Sequence, residues 1–239
     1  MQMINYNKIP KVELHLHLDC SLSFDVVNRI NPLIEIDEYK SSFQAKPNSS
    51  SLNDYINCAD RAIELMQNRE NLELVVEDLF KQLKKENIIY AEIRFAPLLH
   101  CDEGLDENMV VEIVCNKAKI ESKKNNIAYG LILCTLRHYS KKQSLETVRL
   151  VKQYKYKGVV GFDIAADEAG YPLDNHIEAF NYANSHGLNI TAHAGEAKGP
   201  ESIWESIKKL KTKRIGHGVR CIEDPELVNY LSENDYHLE

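Results

Sequence analysis

Apolar and polar residues alternate through Val12-Glu13-Leu14-His15-Leu16-His17-Leu18-Asp19, which is the period of a β-strand. Side chains two residues apart share a face of a strand. The pattern therefore predicts Glu13, His15, His17 and Asp19 on one face, with Val12, Leu14, Leu16 and Leu18 on the other under covering helices. Further strand-like runs lie at 88–95, 128–136, 158–164, 189–193 and 214–219. Helical patterns separate them. The clearest are 106–124 and 173–186, the second stopped by Gly187. Strict strand–helix alternation predicts a parallel sheet with right-handed crossovers. One long insertion, 23–66, follows the first strand. Its Ser41-Ser42 and Ser49-Ser50-Ser51 clusters, with Pro32 and Pro47, rule out a single helix. The expectation is a lid over the site, with a surface excursion as the alternative for its middle part.

The histidines add chemistry to this frame. His15 and His17 sit at strand spacing in an apolar run, a natural seat for a divalent transition metal. Two more short apolar strands end in histidine beside small residues, at His193-Ala194-Gly195-Glu196 and at Gly216-His217-Gly218. Reactive groups collected at the ends of different parallel strands are the pattern of a barrel active site. The expected fold is therefore α/β, of the (β/α)8 TIM-barrel type. It is also expected to be incomplete. A closed barrel needs eight strands, and the pattern gives six plus the start of a seventh at Asp235-Tyr236-His237-Leu238-Glu239.

Composition narrows the partners. A chain of 239 residues with 44% hydrophobic content fits one domain with a sizeable core, taken here as 1–239. The net charge of −7 and the lack of a basic stripe argue against nucleic acid. No run is long and apolar enough to span a membrane, and residues 1–10 carry no apolar signal core. The six cysteines form no C-x-x-C pair, which is expected of free thiols in a reducing cytoplasm.

Taken together, His-Leu-His-Leu-Asp at 15–19, Tyr90–Pro97, Gly161–Glu168, His193–Glu196 and Arg214–Gly218 resemble the adenosine deaminases of the metal-dependent amidohydrolase superfamily, in order and approximate spacing. The resemblance implies one zinc ion per chain, held by His15, His17 and His193. It implies Glu196 as the proton donor to purine N1 and His217 as the group that steers the attacking water. It implies substrate contacts from His17, from Asp19 to the ribose 5′-hydroxyl, and from the backbone at Ala166. The implied partner is a small purine nucleoside, with an Asp at position 19 favouring a nucleoside over free adenine. Two departures stand out. Cys20 and Ala166 occupy positions where the family has glycine. The family's aspartate ligand at the end of its eighth strand, and the aspartate beside it, have no counterpart and are expected to lie beyond Glu239.

Plainer roles compete at several positions. Glu92 and Arg94 share a strand face and are expected to form an ion pair with each other. Asp19 could be a helix cap, Glu196 a carboxylate at a helix start, and His217 a turn residue. Asp167 and Glu168 are loop carboxylates with a supporting place near substrate. His100, His138, His176, His186 and His237 are expected to be surface or structural. The alternative activities are adenine deamination and metal-dependent phosphoester hydrolysis, together with an inactive or incomplete deaminase. A cytidine-deaminase zinc site is disfavoured, because no Pro-Cys-x-x-Cys occurs.

Overall fold

The structure is a computed structural model that describes residues 6–45, 48–49 and 51–239. Its frame is a run of parallel strands: β1 (Lys11–His17), β2 (Ile88–Phe95), β3 (Ala128–Leu136), β4 (Val159–Ala165), β5 (Asn189–Ile190), β6 (Ala192–Ala194), β7 (Arg214–His217) and β8 (His237–Leu238). β1 to β5 pair in sequence order, and β6, β7 and β8 do the same. β5 and β6 are two pieces of one strand. Thr191, between them, still donates its N–H to Phe162 O at 3.0 Å and carries the path of the sheet onward. The result is seven strands of an eight-stranded barrel type. Among the described residues, β1 pairs only with β2, and β8 only with β7.

Helices cover the outer face. Ala91, Ile93 and Phe95 of β2, Leu131 and Leu133 of β3 and Phe162 and Ile164 of β4 belong to one core. Leu72, Val76, Leu79 and Phe80 of helix Arg69–Lys85 and Val110, Val111 and Val114 of helix Glu107–Asn125 complete it. A smaller core joins Ala194 and Ile215 to Ile203, Ile207, Leu227 and Leu231. Local signals set the helix starts. Asn68, Asp106, Ser140 and Asp224 each accept a backbone N–H of the first turn, which offsets donors that have no partner within the helix. Among the described residues of 24–65 lie four short helices, Phe24–Ile30, Ile36–Ser42, Leu52–Ile56 and Cys58–Leu65, in place of a single helix.

The first strand departs from simple alternation. Between Glu13 and Leu16, β1 advances three residues while β2 advances two, a bulge that re-aims side chains. Glu13 accepts the His15 N–H at 2.9 Å and lines a cleft with Leu79, Gln82 and Leu83. It therefore does not join the histidines. Val12 is 58% exposed rather than covered.

The barrel interior is ionic, and here the expected Glu92–Arg94 pair is corrected. Arg94 is fully buried and pairs with Asp163 at 2.8 Å and with Glu239. Glu92 instead pairs with Arg214 at 2.5 Å, and Arg214 Nε reaches Glu239 at 2.6 Å. Residues i and i+2 of one strand point in parallel. Charges arriving from other strands meet them end to end across the interior.

Candidate active site

Strand ends bring three imidazoles to one point. His15 and His17 close β1, and His193 lies in β6. His15 Nε2 lies 3.0 Å from His193 Nε2, and His17 Nε2 lies 3.1 Å from the same atom. His217 follows: His15, His193 and His217 each offer a ring nitrogen within 4.8 Å of the others. Gly216 makes room for this cluster. A Cβ there would stand 2.9 Å from His15 Cε1 and 3.3 Å from His193 Nδ1. His217 and Gly218 both adopt left-handed φ, +63° each, which turns the chain at the end of β7.

The outer nitrogens have carboxylate neighbours. His193 Nδ1 lies 3.1 Å from Asp163 Oδ2, and His15 Nδ1 lies 3.6 Å from Glu239 Oε2. Carboxylates behind metal-binding histidines fix the tautomer and aim the free nitrogen. Burial lowers the pKa of His17, with His193 adding to the effect. Burial also lowers His193, and His217 falls to about 3 for the same reason. Burial by itself would raise Asp163, but His193 and Arg94 hold it well below the usual carboxylate range. Two imidazoles that approach a third at about 3 Å, with carboxylates behind His15 and His193, suit a divalent cation of the zinc type.

Acids flank the histidines. Glu196 Oε2 lies 3.4 Å from His217 Nε2. Burial raises the Glu196 pKa, and the charge of Glu168 raises it further. Asp19 is buried in the turn after β1 and accepts the Ala96 N–H at 3.3 Å. Burial lifts its pKa to about 6. Ala166 follows β4 with φ +76°, a left-handed conformation that costs a side-chain-bearing residue.

All seven residues singled out above, His15, His17, Asp19, Ala166, His193, Glu196 and His217, line one cavity of about 570 Å³. Leu52, Tyr55, Ile56, Ala59 and Ile63 of the short helices form its apolar side. Among the described residues, no lysine or arginine lines it.

Two other histidines are buried in the frame and a third reaches the cavity. His100 and His176 are fully buried; His176 takes Ser144 Oγ at 3.0 Å and Arg137 O at 3.1 Å. His138 lines the cavity. Asp167 is not aimed at the cavity: its carboxylate accepts the N–H groups of Ala169 and Gly170, both at 3.1 Å. Three supporting residues escaped the sequence reading. Asp163 and Glu239 back the histidines, and Arg137 donates to His193 O at 2.9 Å. Asp163 carried a usable signal, being a lone charge within the apolar run Val159–Ala165.

Histidines gathered at the C-terminal ends of parallel strands stand where a β/α barrel enzyme carries its chemistry. The chain matches the adenosine deaminase family over residues 10–239, and it belongs to that family of deaminating hydrolases. The adenosine deaminase of Clostridium acetobutylicum is 40% identical over all of this chain and 72% of its own length. That of Clostridium kluyveri is 37% identical over 99% of this chain and 71% of its own. Among solved structures, an amidohydrolase from Burkholderia ambifaria with bound Zn superposes with a TM-score of 0.87 at 20% identity, covering all of this chain and 68% of that one. An adenine deaminase from Arthrobacter aurescens gives 0.85 at 22% identity, covering 96% and 71%. An Arabidopsis ADAL complexed with IMP gives 0.84 at 23% identity, covering 98% and 71%.

Proposed function

We propose that this chain carries out zinc-dependent hydrolytic deamination of adenosine or 2′-deoxyadenosine, releasing ammonia and the inosine nucleoside. The observation that carries the reading is the meeting of three imidazoles with a half-buried carboxyl in one cavity. His15, His17 and His193 would hold one zinc ion, whose contribution when bound is to make water acidic enough to react near neutral pH.

The chain's own groups supply the rest. Glu196, whose pKa is raised by burial and by Glu168 toward the protonated form, gives a proton to purine N1 and makes C6 electrophilic. His217, neutral at working pH, sits beside it to receive a proton from the attacking water. Asp19 accepts the ribose 5′-hydroxyl, and the Ala166 N–H meets the purine edge at N3. His17 packs beside the bound ring. Helices of the 23–66 insertion cover the mouth as a lid and shed water from the site.

The cavity wall favours an uncharged nucleoside over a nucleotide. A phosphate would meet Asp19, Asp60 and Glu196 with no lysine or arginine among the described lining residues. It also favours a nucleoside over a bare base, because Asp19 stands ready for a sugar hydroxyl.

The test is direct. Zinc-loaded protein is assayed with adenosine, 2′-deoxyadenosine, adenine and AMP, and its metal is counted. One zinc per chain and turnover of the nucleosides are expected. Preferred turnover of AMP or adenine would replace the substrate assignment, and no turnover of any of the four would remove the deaminase reading.

A further inference from the structure

Glu168 lies three residues beyond the end of β4 and is 1% exposed. It is not part of the cavity wall, so it does not stand near substrate as the sequence suggested. Its carboxylate faces the loop that carries Glu196. Oε1 accepts the Gly195 N–H at 2.7 Å and the Ser202 hydroxyl. Oε2 accepts the N–H groups of Glu196 at 3.1 Å, Ala197 at 2.7 Å and Lys198 at 2.9 Å. Four successive amides thus turn toward one anion, a backbone nest. Gly195, at φ +70°, permits the turn, and a Cβ there would meet Ile203 at 2.5 Å. The loop's carbonyls are held from the other side, where Arg220 donates from its backbone N–H to Gly195 O at 3.1 Å and from Nη1 to Ala197 O at 2.9 Å.

We propose that Glu168 is a positioning residue for the deamination. By binding the amides of 195–198 it fixes the main chain from which Glu196 reaches the substrate nitrogen, and so governs proton delivery rather than substrate affinity. This inference rests on Glu196 being the acid of the proposed reaction. A neutral glutamine at position 168 keeps the shape of the side chain but replaces one acceptor with a donor that faces N–H groups, leaving buried donors without a partner. The Glu168 charge also favours the protonated form of Glu196, in the direction the acid requires.

The zinc-loaded parent is compared with Glu168→Gln, Glu168→Asp and Ser202→Ala. In Glu168→Gln, kcat is expected to fall by roughly 10- to 100-fold with KM within about threefold. The alkaline limb of kcat/KM moves to lower pH. Glu168→Asp, which keeps the charge on a shorter arm, restores that limb and part of kcat. An unchanged kcat, or a rise in KM alone, in a folded Glu168→Gln with full zinc overturns the proposal. Should that variant not fold, Ser202→Ala decides, since it removes one donor only: a lower kcat at constant KM supports the proposal, and an unchanged kcat overturns it. Carboxyl 13C NMR of Glu196 gives a readout independent of turnover. A parent without deaminase activity would end the functional reading. A Glu196 carboxyl that titrates at lower pH in Glu168→Gln would still support the positioning role, and an identical titration would overturn it.

Discussion

At the scale of single residues, the site depends on charge states set by burial. In the proposed reaction Glu196 acts only when protonated. Its pKa is raised by burial, then by Glu168, so activity is present below that pKa and lost as pH rises through it. Glu196→Gln is expected to retain zinc and lose about 10²- to 10⁴-fold in kcat, read by steady-state assay beside metal analysis. Loss of zinc would show that the residue belongs to the metal site instead. Ala166 is a different matter. At φ +76°, a methyl group occupies backbone space that glycine enters freely. Ala166→Gly is expected to raise stability by up to about 1 kcal/mol, measured by urea unfolding, and to lower KM by relieving a crowded cavity wall. A lower stability would mean the surroundings already absorb the conformation.

Elements place these residues. The strand ends carry the imidazoles, and the short helices between 24 and 65 carry the apolar wall. Tyr55, on helix Leu52–Ile56, lines the cavity while remaining 55% exposed. Tyr55→Ala removes apolar surface that a bound nucleoside would cover. KM is expected to rise roughly tenfold, about 1.4 kcal/mol, with kcat within about twofold. An unchanged KM would detach these helices from substrate binding. Much at this scale was legible in the sequence. β2 and β3 fall on the predicted runs 88–95 and 128–136, because short apolar runs with bounding polar residues are a local signal. The bulge at Glu13–Leu16 was not legible, since it is visible only against the register of β2.

Across the whole molecule, an ionic chain links the interior to the site. Asp163, Arg94, Glu239, Arg214 and Glu92 connect in sequence, and the first and third of them also stand behind His193 and His15. Replacing Arg94 with Met would leave the buried Asp163 without its guanidinium partner and Glu239 with Arg214 alone. Removing one partner of a buried pair costs about 3–5 kcal/mol. Arg94→Met is therefore expected to lower the urea midpoint markedly and to weaken zinc binding, because the carboxylates behind the histidines lose their anchor. A stability within about 1 kcal/mol of the parent would show that the chain of charges is dispensable.

Local periodicity in the sequence set the strand–helix alternation, the parallel barrel type and the histidines at strand ends that gather at one mouth. Ala166 and the roles of Asp19 and Glu196 entered through the family resemblance, not through periodicity. Tertiary structure alone decided which charges meet. Glu92 and Arg94 share a face yet pair with Arg214, Asp163 and Glu239, and Glu168 faces the Glu196 loop rather than the cavity. A side chain's direction is set within a few residues. Its partner comes from a distant stretch of chain, 145 residues away for Arg94 and Glu239, and only the curling of the sheet brings the two together.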